Sequence, residues 1–283
     1  MTASHALRLD AVAADAYRPS AVAERVAPAT PLRCQTVRVG AQTLRIVDLG
    51  AADAARTVLL FNGIGTRLET AAPFIGAFRH TRVIAFDAPG VGASPAPLLP
   101  YRLNEVARLA EALLDHLGVA VADVVGVSWG GAVAQEFALR HPQRCTTLTL
   151  AASWAGLVMV PMPAATPAAW LGRLMRLGQD VLRVHAAGLP HPGQRGHLYQ
   201  MLALWGWTSW HRLHRVDLPT LVLMAADDPL VPQINGHLVA SRLSRATLET
   251  VSGGHLFALT RPDETARRIE DFFAAHPLLA EAG

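Results

Sequence analysis

Short, mostly continuous apolar runs stand at 57–61 (TVLLF), 82–86 (RVIAF), 123–127 (DVVGV), 146–151 (TTLTLA), 220–225 (TLVLMA) and 247–251 (TLETV). Runs of this kind suit parallel strands covered on both faces. Ahead of them, 35–39 and 43–48 alternate with period two and predict an antiparallel pair at a sheet edge. Between the runs, 104–117 places Val106, Leu109, Leu113 and Leu117 on one helical face. Residues 131–140, 232–243 and 263–275 read as further helices, the last opened by Pro262, which suits a helix start. Strand–helix alternation predicts an α/β fold with a doubly wound, mostly parallel sheet.

The alternation stops after 152 and resumes near 216. The expected organisation is therefore a core made of 31–152 and 216–283, with an inserted, apolar helical cap at 153–215. Residues 1–30 are Ala-rich without a clean period and read as a poorly ordered leader or a short helix. The cap segment holds five of the six Trp residues (Trp154, Trp170, Trp205, Trp207 and Trp210) together with Met159, Met162, Met175 and Met201. A cluster this apolar predicts a lined pocket, with Trp154, Met159, Trp205 and Trp207 as the candidates. The uncharged stretch 146–172 has the length of a membrane span. Pro161, Pro163 and Pro167 interrupt it, and a core strand followed by an apolar flap is the expectation.

Composition narrows the chemistry. All 25 basic residues are Arg, against 22 acidic ones, for a formal charge of +3. Without Lys there is no Schiff-base chemistry and no phosphate loop of the GxxxxGK[ST] type. The Arg residues are scattered, so neither a nucleic-acid arm nor a polybasic membrane patch is expected. Cys34 and Cys145 lie far apart with neither CxxC nor zinc spacing. Asp10, Asp15 and Arg18 interrupt what would be the apolar core of a signal peptide, so a cytoplasmic protein is expected.

The candidate chemistry begins at Gly126-Val127-Ser128-Trp129-Gly130, a G-x-S-x-G pattern between an apolar strand and a helix. That setting predicts a tight turn that lifts the Ser128 hydroxyl clear of the sheet. A serine hydroxyl needs a base. Among the 12 His residues, His255 lies just past the final apolar run, behind Gly253 and Gly254, where a turn brings it over the carboxyl ends of the strands. An acid must orient that imidazole. Asp227 and Asp228 both follow the run at 220–225; Asp228 is assigned the role, and Asp227 a turn or helix-cap position. The order Ser128, Asp228, His255 matches the α/β-hydrolase fold and not other serine-hydrolase folds. Two backbone N–H groups should form an oxyanion hole: Trp129, and Ile64 in the loop Asn62-Gly63-Ile64-Gly65. One such donor is typically worth roughly 3 kcal/mol. The glycine-rich loop at 87–94 reads as a structural turn near the site. The scheme needs no metal and no organic cofactor.

At these residues the chain resembles the α/β-hydrolase superfamily. More narrowly, it is similar to intracellular depolymerases of medium-chain-length polyhydroxyalkanoates. The stretches that carry the likeness are LLFNGIGTRLET, RVIAFDAPGVGAS, VVGVSWGGAVAQEFA, AASWAGLVMVP, GWTSWHRLHRVDLPTLVLMAADDPLVP and GGHLFALTR. Asn62, where most relatives carry His, and the GWTS segment are the more particular features. Ala225 stands where Gly is usual, and neither 179–200 nor the leader matches. The resemblance implies Ser128 as nucleophile, Asp228 as acid and His255 as base. It implies an apolar polyester or acyl ester as substrate and a storage-granule surface as partner. The alternatives on the same three residues are a lipase-like esterase, a lactonase, a carbon–carbon bond hydrolase or an acyltransferase. A non-catalytic binding protein of this fold would have no need of all three.

Overall fold

The computed structural model describes residues 32–156 and 194–277. The leader therefore lies outside the described residues, as do Met159, Trp170 and the rest of the cap between 157 and 193. Eight strands form one sheet in the order β1-β2-β4-β3-β5-β6-β7-β8. β1 (Cys34–Val39) and β2 (Gln42–Leu49) are the antiparallel pair expected at the edge, with Cys34 opposite Val47. β2 then joins β4 (Arg82–Phe86) antiparallel. The remaining pairings are all parallel: β3 (Thr57–Phe61) with β4 and β5 (Ala122–Val127), then β6 (Cys145–Ala151), β7 (Thr220–Ala225) and β8 (Ala246–Val251) in turn. Every residue of β4 and β7 is buried, which is why those runs are continuously apolar. β8 forms the other edge and is only partly covered, with Thr247 and Thr250 exposed.

Helices cover both faces. α1 (Leu68–Ile75) and α7 (Pro262–Ala275) pack one core through Phe74, Ile75, Ile269 and Phe273. α2 (Leu103–His116) and α3 (Trp129–Arg140) pack the other through Leu113, Leu114, Val133 and Phe137. α1 has no counterpart in the periodicity reading, because Pro73 lies inside it. Pro73 lacks the N–H that would donate to Glu69 O, so the short helix loses that bond and is held by its packing instead. Among the described residues, the remaining α-helices are α4 (Gln194–Leu204), α5 (Ile234–Ser241) and the short α6 (Phe257–Thr260).

The amino ends of the strands are tied by guanidinium–carboxylate forks. Arg56 grips Asp123 at 2.7 and 2.6 Å, and Arg82 grips Asp48 at 2.8 Å twice. This planar two-point geometry suits Arg and would not be reproduced by Lys. Cys34 and Cys145 are free thiols, and burial pushes the Cys145 thiol well above its ordinary value.

After β3 the chain moves outward to β4, then returns past β3 to β5. The loops at the carboxyl ends of β3 and β5 thus diverge, leaving a crevice where open α/β sheets place their sites. Helix α4 covers this end. Its inward face is small or polar: Gly196, Tyr199, Gln200 and Ala203 are buried. Its outward face carries Leu198 (54% exposed), Met201 (52%) and Leu202 (43%), and Trp205 (87%) follows just past its end. An ordinary amphipathic helix has the opposite arrangement. Gly196 rests on the backbone of Gly90, and an added Cβ at position 196 would drive into the Gly90 carbonyl. The Tyr199 hydroxyl donates to Leu98 O at 3.1 Å, which brings the exposed Leu98 alongside.

Candidate active site

Ser128 occupies the turn between β5 and α3, with φ 53° and ψ −115°. A non-glycine residue with positive φ is uncommon and costs of order 1 kcal/mol or more, so neighbours must hold it there. They do: Ser128 N–H donates to Ala151 O at 2.8 Å, and Ser128 O accepts from Gly131 N–H at 2.9 Å and from the Ser153 hydroxyl at 3.1 Å. The Ser153 contribution was not foreseen; only its place just beyond β6 could have suggested it. The turn is also tight against β3. A Cβ at Gly130 would collide with the backbone of Phe61 and Asn62.

His255 follows β8 and Asp228 follows β7, so each enters from a different loop at the same end of the sheet. Asp228 Oδ2 lies 2.8 Å from His255 Nδ1, and His255 Nε2 lies 2.9 Å from Ser128 Oγ. All three are buried, at 1%, 7% and 7% exposure for Asp228, His255 and Ser128. Asp228 Oδ1 accepts the N–H groups of Leu230 and Val231, both at 2.8 Å. A carboxylate satisfied on both oxygens can remain buried and still turn one edge to the imidazole. Asp227 does something different. Its Oδ1 accepts the Gly254 N–H at 3.0 Å and so braces the turn that carries His255.

The loop after β3 turns through a Thr66 N–H to Gly63 O bond at 3.1 Å and places Gly63 beside Ser128. Ile64 lies in this turn, partly buried against the core. Trp129 opens α3, where first-turn N–H groups have no partner within the helix. Gln200 of α4, which no motif or periodicity singles out, joins both loops. Its Oε1 accepts Gly65 N–H at 2.8 Å, and its backbone O accepts the Trp129 indole N–H at 3.0 Å. The loop after β4 is organised by Asp87, which accepts from Leu68 N–H at 2.9 Å and Ala93 N–H at 3.1 Å. Burial pushes the Asp87 carboxyl above its ordinary value, with these two N–H bonds acting against that rise.

Of the cap candidates, Trp154, Trp205 and Trp207 lie among the described residues. Trp207, partly buried, donates its indole N–H to Glu136 Oε1 at 2.9 Å, a carboxylate that α3 buries there. Trp205 is exposed. Both line an open groove with Arg102, Arg140 and His211 that includes none of Ser128, Asp228 and His255. Trp154 is half-buried against the core, and its carbonyl accepts from Gln135 at 3.0 Å. The GWTS segment thereby pins the chain beyond β6 onto α3, with Thr208 Oγ1 to Ala155 O at 2.7 Å and Ser209 Oγ to Gln135 at 2.6 Å. Among the described residues, no group of three or more His, Cys, Asp or Glu could hold a metal ion. No helix among them is long and apolar enough to cross a membrane.

Comparison with known proteins bears on this geometry. A family model described as alpha/beta hydrolase fold matches residues 56–196. A poly(3-hydroxyalkanoate) depolymerase of Ectopseudomonas oleovorans is 39% identical over 280 residues, covering 89% of this chain and 99% of that one. The chain belongs to the α/β-hydrolase family. Another relative of this α/β-hydrolase, 3-oxoadipate enol-lactonase 2 of Acinetobacter baylyi, is 27% identical, over 80% of this chain and 91% of its own. Among solved structures, a hydrolase from Pseudomonas aeruginosa superimposes with a TM-score of 0.71 at 28% identity, covering 85% of this chain and 98% of that one. An enol-lactonase from Burkholderia xenovorans superimposes with a TM-score of 0.72 at 22% identity, covering 84% and 99%, and shares the fold. This α/β-hydrolase is thus a hydrolase by kinship over nearly its whole length.

Proposed function

We propose that this hydrolase cleaves carboxylic esters through Ser128, His255 and Asp228, and that its substrate is a poly(3-hydroxyalkanoate) with side chains of medium length. The observation that carries the chemistry is the unbroken chain from Asp228 Oδ2 to His255 Nδ1 and from His255 Nε2 to Ser128 Oγ. Ser128 Oγ attacks the ester carbonyl while His255 Nε2 takes its proton. The imidazolium is stabilised by Asp228. The negative oxygen of the tetrahedral intermediate accepts from the Ile64 and Trp129 amides. His255 then protonates the leaving alkoxide, giving a free hydroxyl chain end and an acyl-Ser128. Water, deprotonated by the same imidazole, attacks the acyl group and releases the acid.

The polyester assignment rests on the 39% identical relative and on one surface feature. Leu198, Met201, Leu202 and Trp205 expose an uncharged row, and Leu98 and Leu99 beside it are 93% and 77% exposed. Large apolar side chains left exposed in a group of this kind suit a contact with something apolar. A water-insoluble polymer would use it, and a small lactone would not. In this reading the protein works in the cytoplasm, at the surface of storage granules.

The test is direct. A fluorophosphonate should label Ser128, and Ser128→Ala should neither be labelled nor release product. Granules of a C8 polyester should release monomer faster than granules of a C4 polyester. Absence of labelling would refute the ester chemistry. Equal or faster release from the C4 material would refute the medium-chain assignment alone.

A further inference from the structure

We propose that Gln200 is a positioning residue for the oxyanion hole, tying helix α4 to both of the loops that supply its amides. The inference rests on the oxyanion reading given under Proposed function. Gln200 is 1% exposed on the inward face of a helix whose apolar side chains point out. Burying an amide costs free energy unless it is hydrogen-bonded, and a packing role alone would be served better by Leu or Met. Its bonds are specific. Gly65 N–H donates to Oε1 at 2.8 Å. The identity of the accepting atom follows from chemistry, because a backbone N–H can only face the amide oxygen.

Gly65 directly follows Ile64, and the peptide between them is planar. Holding the Gly65 N–H therefore holds the Ile64 carbonyl plane. Only the φ and ψ of Ile64 then separate that plane from the Ile64 N–H. On the other side, the Trp129 indole donates to the Gln200 carbonyl at 3.0 Å, anchoring the residue whose backbone supplies the second amide. One turn earlier on the same helix face, Gly196 is seated against Gly90, so the helix cannot slide without breaking that contact. The two amides come from loops that follow different strands, β3 and β5. Gln200 bonds to both, and it sets their separation.

Two variants test this. Gln200→Met keeps the volume and removes the acceptor; Gln200→Asn keeps the amide but is one methylene too short to reach Gly65. Each is assayed on a soluble octanoate ester and against a trifluoromethyl ketone, which adds to Ser128 Oγ and places its oxygen in the hole. Complete loss of one oxyanion donor costs about 10²–10³ in kcat, so a displaced donor should cost about 10–100-fold. KM should stay within about twofold, and the inhibition constant should rise by the factor by which kcat/KM falls. A purely structural residue would lower the melting temperature and leave that parallel absent. Either folded variant with kcat and inhibition constant within about threefold of wild type overturns the proposal, and so does failure of both to fold, since the tie is then needed for folding alone. If the ketone does not inhibit wild type and a fluorophosphonate does not label it, the hydrolase reading itself has failed.

Discussion

Replacing Asp228 with Asn should abolish nearly all turnover while leaving the fold intact, for a reason local to this site. The N–H groups of Leu230 and Val231 both point at Oδ1, at 2.8 Å each. In the variant the amide oxygen must stay there, because an NH₂ group cannot accept those two bonds. The NH₂ is then forced towards His255 Nδ1, which in wild type donates to Oδ2 at 2.8 Å. Two donors cannot face each other, so Nδ1 becomes the acceptor and the imidazole proton moves to Nε2. That proton now points at Ser128 Oγ, 2.9 Å away, and His255 can no longer take the serine proton. A trapped wrong tautomer of this kind costs about 10⁴ in kcat, or roughly 5.4 kcal/mol of transition-state stabilisation. Stability should change by no more than about 1 kcal/mol, since both backbone bonds survive. The assay is kcat on a soluble octanoate ester beside a urea melt. Asp227→Asn is the control: Asp227 is exposed, and an Asn oxygen can still accept from Gly254, so about a twofold effect is expected. A loss under tenfold for Asp228→Asn, or a larger one for Asp227→Asn, would refute the argument.

Glu136→Gln tests the tie between α3 and the GWTS segment. Burial pushes the Glu136 carboxyl up, but bonds from Arg212, Trp207 and Arg140 outweigh burial and hold it below the ordinary Glu value. A depressed carboxylate stabilises the fold above its unfolded-state value, near pH 4.5, and that contribution fades as pH falls through the folded-state value. Because Arg140 and Arg212 are partly exposed (41% and 25%), the variant should lose about 2 kcal/mol at neutral pH rather than the full cost of breaking a buried pair. Urea midpoints of variant and wild type should converge as pH falls through the depressed folded-state value of Glu136, and a gap independent of pH would contradict the reading. Trp205→Ser tests the apolar row: adsorption to polyester particles should weaken roughly tenfold, from about 1.5 kcal/mol of lost apolar burial. Its kcat/KM on a soluble ester should not change, and unchanged adsorption would remove the row from granule contact.

Much of the fold was legible because burial on both faces writes itself into the chain. TVLLF, RVIAF and TLVLMA are continuous because nothing polar can face water there, and each became a parallel strand with its expected core. The close pairing of Ser128 with its loop was legible for a similar reason: Gly130 is the only kind of residue that fits against the Phe61 backbone. What the chain could not disclose were relations between segments with no local period. Pro73 hid α1, since propensity is overridden by packing against α7. The partner of the Trp207 indole N–H was not legible either, and only the tertiary arrangement showed that Glu136 supplies the acceptor. The sequence reading assigns Asp228 to the imidazole and Asp227 to a turn, but the groups they meet, His255 and Gly254, arrive from another loop, and only the tertiary arrangement places them. Gln200 is the extreme case. Its bonds to Gly65 and Trp129 span 135 and 71 residues, a distance at which sequence carries no pattern and only packing decides which groups meet.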